Sequence, residues 1–336
     1  MVTVESYAVA VVMCVITMLC WGSWANTQKL ASKEWRFQLF YWDYCIGVLL
    51  LTVIFALTLG SMGSAGRTFF ADLSQAGGKY IGYALLGGVV FNIANILLVA
   101  AIDIAGLAVA FPVGIGIALV EGVIINHMRD PKGNPKLLFL GVAGIVVAIL
   151  IDAYAYKKLP AQGQKTSGKG IAISVVAGVL MGLFFYLVAA SMPPLKAIDA
   201  PEHAGKLIPY SALVFFSLGL FLSSFVFNTI VMAKPFVGEP VPFADYFKKG
   251  NARLHAVGIA GGIIWSIGMS FAIIAGDSAG YAISYGLGQG ATMIAAFWGV
   301  FIWREFKGAP KGTNPLLALM FLFFIVGLSL IVYANA

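Results

Sequence analysis

The sequence predicts an all-α integral membrane protein with ten transmembrane helices, built as two inverted five-helix repeats. Composition is the first ground. Of 336 residues, 60% are hydrophobic and 10% charged, against about 25% charged in a soluble domain, and a soluble fold of this size could not hide so much apolar surface. Length is the second. Apolar runs of about 20 residues, enough for a helix to cross a bilayer, recur along the whole chain. The third is an internal duplication. Residues 87–116 and 261–290 align without a gap at an offset of 174, where Gly87, Gly88, Ile93, Ala101, Asp103, Ala105, Gly106, Ala108, Gly114 and Gly116 meet identical partners. Each copy reads as two long apolar segments joined by a tight turn carrying one Asp. Such a duplication in an apolar chain points to a transporter architecture.

In chain order the spans are expected at about 7–30, 40–60, 80–102, 104–126, 137–156, 170–192, 208–232, 253–274, 280–303 and 316–334. No cleavable signal is read at the start: residues 1–6 hold no basic residue, and the first apolar run is long enough to span. Spans three and four, and spans eight and nine, are joined by turns alone. Asp103 and Asp277 occupy those turns, where a short polar side chain can cap the next helix; a proton-carrying role is the alternative. A short basic stretch, 157–169, is expected to be a cytoplasmic linker between repeats 1–156 and 170–336. An odd number of spans per repeat forces the two into opposite orientations. The first spans of the halves also match loosely: Ala8, Val11, Val12 and Val15 meet Ala172, Val175, Val176 and Val179 at an offset of 164.

The formal charge of +7 sits in short loops and reads as topology rather than as a nucleic-acid signal. Connections after odd-numbered spans carry fourteen Lys and Arg, and the other face seven. Positive charge favours the cytoplasm, so both termini are expected to be extracytoplasmic, in a plasma (inner) membrane. The pairs Gly178/Gly182, Gly258/Gly262 and Gly286/Gly290 have the spacing that lets helix backbones approach closely. At this density they read as packing within one chain, so a monomer is expected to suffice.

Several chemistries are excluded. Cys14, Cys20 and Cys45 fall in spans, with no CxxC partner or His at metal spacing, and read as small packing residues. GQKTSGKG at 163–170 nearly matches a phosphate-binding loop, but Gly170 replaces the hydroxyl that would hold Mg²⁺ and no strand precedes it. The chain has no HExxH, no GxSxG and no catalytic carboxylate pair in an aqueous setting. No enzyme activity, cofactor or metal is expected.

Function is sought in polar residues at membrane depth, where each needs a partner or a cavity. In span one, Trp21, Trp24 and Gln28 share a helical face, with Asn26 nearby. Asn92 and Asn95 share a face of span three. Trp265 and Ser266 sit beside the Gly261–Gly262 pair in span eight. Tyr281, Tyr285, Gln289 and Thr292 form a stripe along span nine. Taken singly, each also fits a helix–helix hydrogen bond or an interfacial aromatic. Together they suit a neutral, ring-shaped polar ligand. The repeat partners of the span-nine stripe are Leu107, Phe111, Ile115 and Ala118, so only one copy carries it. Among charges, Glu121 lies inside span four and Asp43 a turn inside span two. A carboxyl away from water is suited to bind and release a proton, which makes Glu121 and Asp43 coupling candidates; a Lys29–Asp43 ion pair is the structural alternative. Asp152, near Lys157 and Lys158, reads as an interfacial partner.

MLCWGSW at 18–24, YWDY at 41–44, LTLG at 57–60, FFADLSQ at 69–75, residues 87–95, AGDSAGY at 275–281 and FWGVFIWREF at 297–306 resemble the ureide permease family of the drug/metabolite transporter superfamily. The resemblance covers most of the chain apart from the central linker, which is long in plant members and short here. It implies ten spans in two inverted halves, and uptake of ureides such as allantoin, or of nucleobases such as uracil, with protons. Related families carry glucose, ribose or rhamnose, so a monosaccharide porter is the alternative, and a multidrug or metabolite exporter a more remote one. The expected mechanism is alternating access by a symporter, with the substrate near the midplane.

Overall fold

The computed structural model describes residues 1–31, 34–159 and 168–335. Among these residues all regular structure is helical. Ten helices are long and apolar enough to cross a membrane: span one Tyr7–Ala31, span two Phe37–Leu57, span three Gly78–Ala105, span four Val109–Arg129, span five Pro135–Lys157, span six Gly168–Ala197, span seven Pro209–Ala233, span eight Ala252–Ala279, span nine Tyr281–Ile302 and span ten Thr313–Tyr333. The fold class read from the sequence is the one observed. Most of the linker, and the GQKTSGKG stretch up to residue 167, lies outside the described residues.

The spans touch in pairs that exchange when the halves are exchanged. Span three packs along span six, and span eight along span one. Span three crosses span seven, and span eight crosses span two. Span four lies on span six, and span nine on span one. Spans five and ten pack on each other. An inverted duplication produces this pattern.

Glycine sets the depth of these crossings. A Cβ on Gly88 would lie 1.9 Å from the Phe216 carbonyl oxygen, and one on its repeat partner Gly262 would lie 2.0 Å from that of Tyr44. Spans five and ten meet likewise: a Cβ on Gly141 would fall 2.6 Å from the Gly327 carbonyl, and one on Gly327 2.7 Å from the Gly141 carbonyl. Between helices in lipid there is no hydrophobic driving force, so close backbone approach supplies the dispersion contact that holds them. The GxxxG pairs also face other spans of the same chain: Gly178 meets the Gly114 carbonyl, Gly258 the Asp43 side chain, and Gly290 the Met18 thioether.

The tight turns differ from expectation. The residues that open the helices after them are Gly106 and Gly280, at φ 81° and 89°. These backbone angles belong to glycine. Both repeats write the same glycine turn, and the cap expected of Asp277 is corrected. Asp277 instead accepts the backbone N–H of Leu195 at 3.0 Å, tying the turn to the connection between spans six and seven.

Each half also carries a short interfacial helix between its second and third spans, Phe69–Gln75 and Asp245–Lys248. Phe70-Ala71-Asp72 in the first recurs as Phe243-Ala244-Asp245 at the second. In the first, buried Asp72 pairs with Arg67 at 3.0 Å and accepts the backbone N–H of Ile208.

Gly88→Ala and Gly262→Ala should each lower stability by about 1–3 kcal/mol through overpacking. Gly82→Ala, where a Cβ meets nothing within 4 Å, should be neutral or slightly stabilising; thermal unfolding of the purified variants in one detergent checks both.

Candidate functional site

At the centre of the crossings lies a cavity of about 170 Å³. Pockets for drug-sized ligands run to about 300–1,000 Å³, so this one suits a compact solute. Spans one, three, four, six, eight and nine line it, and no charged side chain is among the lining residues.

Its floor is aromatic. Phe91 and Trp265 are repeat partners, and their rings meet at 4.4 Å. Trp265 also stacks on Trp21 at 5.9 Å and on Phe216 at 5.9 Å. The Trp21 indole N–H donates to the Trp265 backbone carbonyl at 3.2 Å, which fixes the Trp21 ring against span eight. Trp24 extends this face and packs on Tyr44 at 4.9 Å. The polar groups are Asn95, Gln289 and Thr292. Asn95 is held from behind: its amide donates to the Tyr41 hydroxyl at 3.4 Å, and Tyr41 donates to Asn92 at 3.0 Å. Across the cavity from Gln289 stands its repeat partner Ile115. The polar lining is thus unsymmetrical: the second repeat supplies Gln289 and Thr292, and the first supplies Asn95.

The lining spans are interrupted where they meet the cavity. Span one breaks at Trp24, and the Asn26 and Thr27 side chains donate to the carbonyls of Ser23 and Trp24 at 2.9 and 2.7 Å. At Gln289 and Gly290, span nine shifts to bonds of shorter span, Thr292 N–H to Gln289 and Met293 N–H to Gly290. Within a membrane such freed carbonyls are tolerated only against protein or a cavity.

The face bearing the even-numbered connections is sealed. Arg129 donates to the Ala189 carbonyl at 2.6 Å and stands 5.0 Å over the Tyr281 ring. Lys132 donates to the Asp277 carbonyl, and the Tyr285 hydroxyl to the Met181 carbonyl at 3.0 Å. Toward the odd face, by contrast, span nine leaves span four: Tyr281–Gly288 packs on span four, whereas Ala291–Phe297 packs on span one. The cavity extends from the midplane toward that odd face, to Trp24, Ala25, Leu98, Phe111 and Ala295.

Comparison with known proteins fits this arrangement. A family profile described as ureide permease matches residues 40–169 and 160–334. The chain belongs to the ureide permease family. Ureide permease 1 of Arabidopsis thaliana is 25% identical over all of this chain and 99% of its own length, and Ureide permease 2 of the same plant is likewise 25% identical over all of this chain. A Listeria monocytogenes protein whose name proposes sugar uptake is 24% identical over 82% of this chain and 84% of its own. One solved crystal structure superposes with a TM-score of 0.62 over 97% of this chain and 96% of the other at 15% identity, a likeness of fold alone. Membership in a permease family makes the chain a membrane transporter.

Of the twelve polar and aromatic residues singled out in the sequence, Trp21, Trp24, Asn95, Trp265, Gln289 and Thr292 line the cavity. The others do not. Asn92 joins spans two, three and seven through Tyr41 and Ser223. Ser266 donates to the Val48 carbonyl at 3.3 Å. Tyr281 and Tyr285 belong to the seal. Asn26 accepts the Trp303 indole N–H at 2.6 Å, and Gln28 is half-buried outside the lining. Phe91 and Phe184 were missed because apolar residues carry no signal against an apolar background, although Phe91 precedes Asn95 by one helical turn.

The coupling candidates lie apart from the cavity. Asp43 is buried and accepts from the Trp35 indole at 3.1 Å and the Tyr246 hydroxyl at 2.5 Å, with His255 Nδ1 at 2.9 Å. Burial, and then the bond to Asp43, hold the Tyr246 hydroxyl above its usual range. Lys29, in contrast to the expected pair, meets Glu305 at 2.5 Å. Glu121 is half-buried against Gly182 and lines a separate apolar groove with Val120, Ile124 and Val146.

Asp43→Ala would strand buried donors from three elements. It should cost about 1–3 kcal/mol for each donor left unsatisfied, and His255→Ala, whose side chain is 29% exposed, should cost less than the whole cluster. Chemical unfolding of the two variants against the parent protein decides the order.

Proposed function

We propose that this chain imports a small neutral solute of the ureide or nucleobase class, such as allantoin or uracil, with protons and by alternating access. One observation carries the substrate class: an uncharged cavity with an indole floor and side-chain amides, in a chain whose full-length relatives are named ureide permeases. A ureide or nucleobase is flat and presents adjacent N–H donors and carbonyl acceptors. Its face suits stacking on Trp265, Trp24 and Trp21, and its edge suits Asn95, Gln289 and Thr292. A charged solute would enter this cavity without a counter-charge, at high cost.

Alternating access draws support from the repeat. Tyr285 closes the even face, while its partner Phe111 lines the cavity on the odd face. Exchange of these two roles would close the odd face and open the even one, without new contacts being invented. With the basic odd face in the cytoplasm, both termini lie outside the plasma membrane and the described state faces inward.

For coupling, Asp43 is the preferred carboxyl. It bridges spans two and eight beside the titratable His255, and its neighbour Tyr44 packs on the cavity residue Trp24. Glu121, in its lateral groove, is the second choice. The monosaccharide reading draws on the Listeria relative, since indole faces and amides serve a pyranose as well.

Purified protein in proteoliposomes should accumulate labelled allantoin or uracil when an inward proton gradient is imposed, and Trp265→Ala or Gln289→Ala should weaken apparent affinity at least tenfold, about 1.4 kcal/mol. Asp43→Asn should keep exchange but lose accumulation. Uptake of ribose or glucose with no uptake of either base or ureide would overturn the substrate class; full accumulation by both Asp43→Asn and Glu121→Gln would overturn the coupling.

A further inference from the structure

FWGVFIWREF at 297–306 is unusual in its backbone. Residues Trp298–Ile302 form a π-helical turn, a form that appears mostly as single turns at functional sites. Arg304, at φ 51°, is the one non-glycine residue in the left-handed region among those described, a conformation kept only where the surroundings enforce it. What the distortion achieves is the placing of Glu305. Its backbone N–H returns to the Gly299 carbonyl at 2.9 Å. Its carboxylate accepts from the Tyr156 hydroxyl of span five at 2.6 Å and pairs with Lys29 of span one at 2.5 Å. Lys29 also stands 4.3 Å over the Trp303 ring, whose N–H is bonded to Asn26. A Cβ on Gly299 would lie 2.7 Å from the Tyr156 hydroxyl and 3.0 Å from Glu305. The foot of span nine is therefore clamped to spans one and five, and the Glu305 carboxylate is where the two clamps meet.

A second carboxyl stands beside the clamp. Asp152, one turn before Tyr156 on span five, is within electrostatic reach of Glu305. Its Oδ1 is closed off and has no hydrogen-bond partner among the described residues. The clamp already supplies a cation and a hydroxyl, and both go to Glu305. An ionised Asp152 would add a second negative charge with no donor at its buried Oδ1, and two neighbouring carboxyls in such a setting do not both ionise freely. Among the described residues, Lys157 and Lys158 stand at the end of span five itself, and the spans packed on it bring no cation to Asp152. Span ten has no titratable side chain before Tyr333 at its far end. On span four, His127 and Arg129 stand at the opposite face, and Glu121 lies level with Val146.

We propose that Asp152 is a proton-binding site that controls the clamp at the foot of span nine. With the proton bound, Glu305 alone carries charge and holds Lys29 and Tyr156. On its release, repulsion between Asp152 and Glu305 loosens the foot of span nine, the element that frames the odd-face mouth of the cavity. The site lies outside the substrate cavity and is independent of the substrate's identity.

The test uses full-length, substrate-free protein in lipid. Difference infrared spectra across a pH titration should contain a protonated-carboxyl band that Asp152→Asn removes. Tryptophan fluorescence, with Trp303 as the reporter beside Lys29, should titrate in the parent protein and stay flat at its acid-side level in Asp152→Asn. Glu305→Gln should lose the fluorescence transition by releasing Lys29. An Asp152→Asn protein with an unchanged infrared band, or with the parental fluorescence transition, overturns the proposal. Should that variant not fold, Asp152→Glu keeps a titratable group and must show the transition at a shifted midpoint; a flat response there overturns it equally.

Discussion

The close crossings of spans three and seven, and of spans eight and two, are the constraint on which the rest depends. Gly88 and Gly262 let each helix sit on its neighbour's backbone, with built Cβ positions 1.9 and 2.0 Å from the opposing carbonyl oxygens. Those two contacts fix the height and rotation of spans three and eight. Phe91 lies three residues beyond Gly88, and Trp265 three beyond Gly262, so fixing the glycines brings the two rings together at 4.4 Å. The cavity floor follows from the packing. Hydrogen bonds between membrane helices contribute only about 0.6 kcal/mol each on average, so Tyr41, Asn92 and Ser266 refine this arrangement without creating it.

Local polar pairing decides which face is closed. The even face holds Arg129, Lys132 and Tyr285, each donating to a backbone carbonyl of another element. Ala189 and Asp277 lie in the last turns of the helices of spans six and eight, where helix carbonyls are left free, so Arg129 and Lys132 bond acceptors that the helices do not use. On the odd face the comparable bonds join span nine to spans one and five rather than to span four. The gap this leaves between spans nine and four lies above the cavity residues Phe111 and Ala295.

The fold was legible in the sequence because membrane helices announce themselves by length and composition, and a duplication by identities at one offset. The cavity was legible in part. Trp21, Trp24, Asn95, Trp265, Gln289 and Thr292 stood out because polar and indole groups are costly in lipid. The same logic also drew in Tyr285 and Ser266, whose partners are backbone carbonyls, and Tyr281, whose ring lies under Arg129. A single sequence cannot separate a polar group that awaits a ligand from one already satisfied by a neighbouring helix. The errors have the same origin. Asp277 was read as a cap by residue type, whereas it bonds Leu195 and the turn rests on the backbone freedom of Gly280. Lys29 and Asp43 are neighbours along the chain, yet each finds its partner from the other half, Glu305 and His255.

Divergence between the repeats then accounts for how a symmetric scaffold yields an asymmetric site. Positions that carry packing are the same in both copies: Gly88 and Gly262 at the crossings, Gly106 and Gly280 at the turns. Positions that face the cavity differ in chemistry while keeping their place. Phe91 opposes Trp265, and Ile115 opposes Gln289. A twofold-symmetric lining would offer a solute two identical walls and hence two equivalent poses. The amides fall at non-equivalent positions, Asn95 where the other copy has Met269 and Gln289 where the other copy has Ile115, and this removes the degeneracy, because only one orientation meets both amides without stranding a polar edge on Ile115. The cost of leaving a buried polar group unpaired, about 1–3 kcal/mol, is enough to select that pose. Such selection requires only that one copy of the duplication changed at a few cavity positions, with every glycine that sets the backbone left in place.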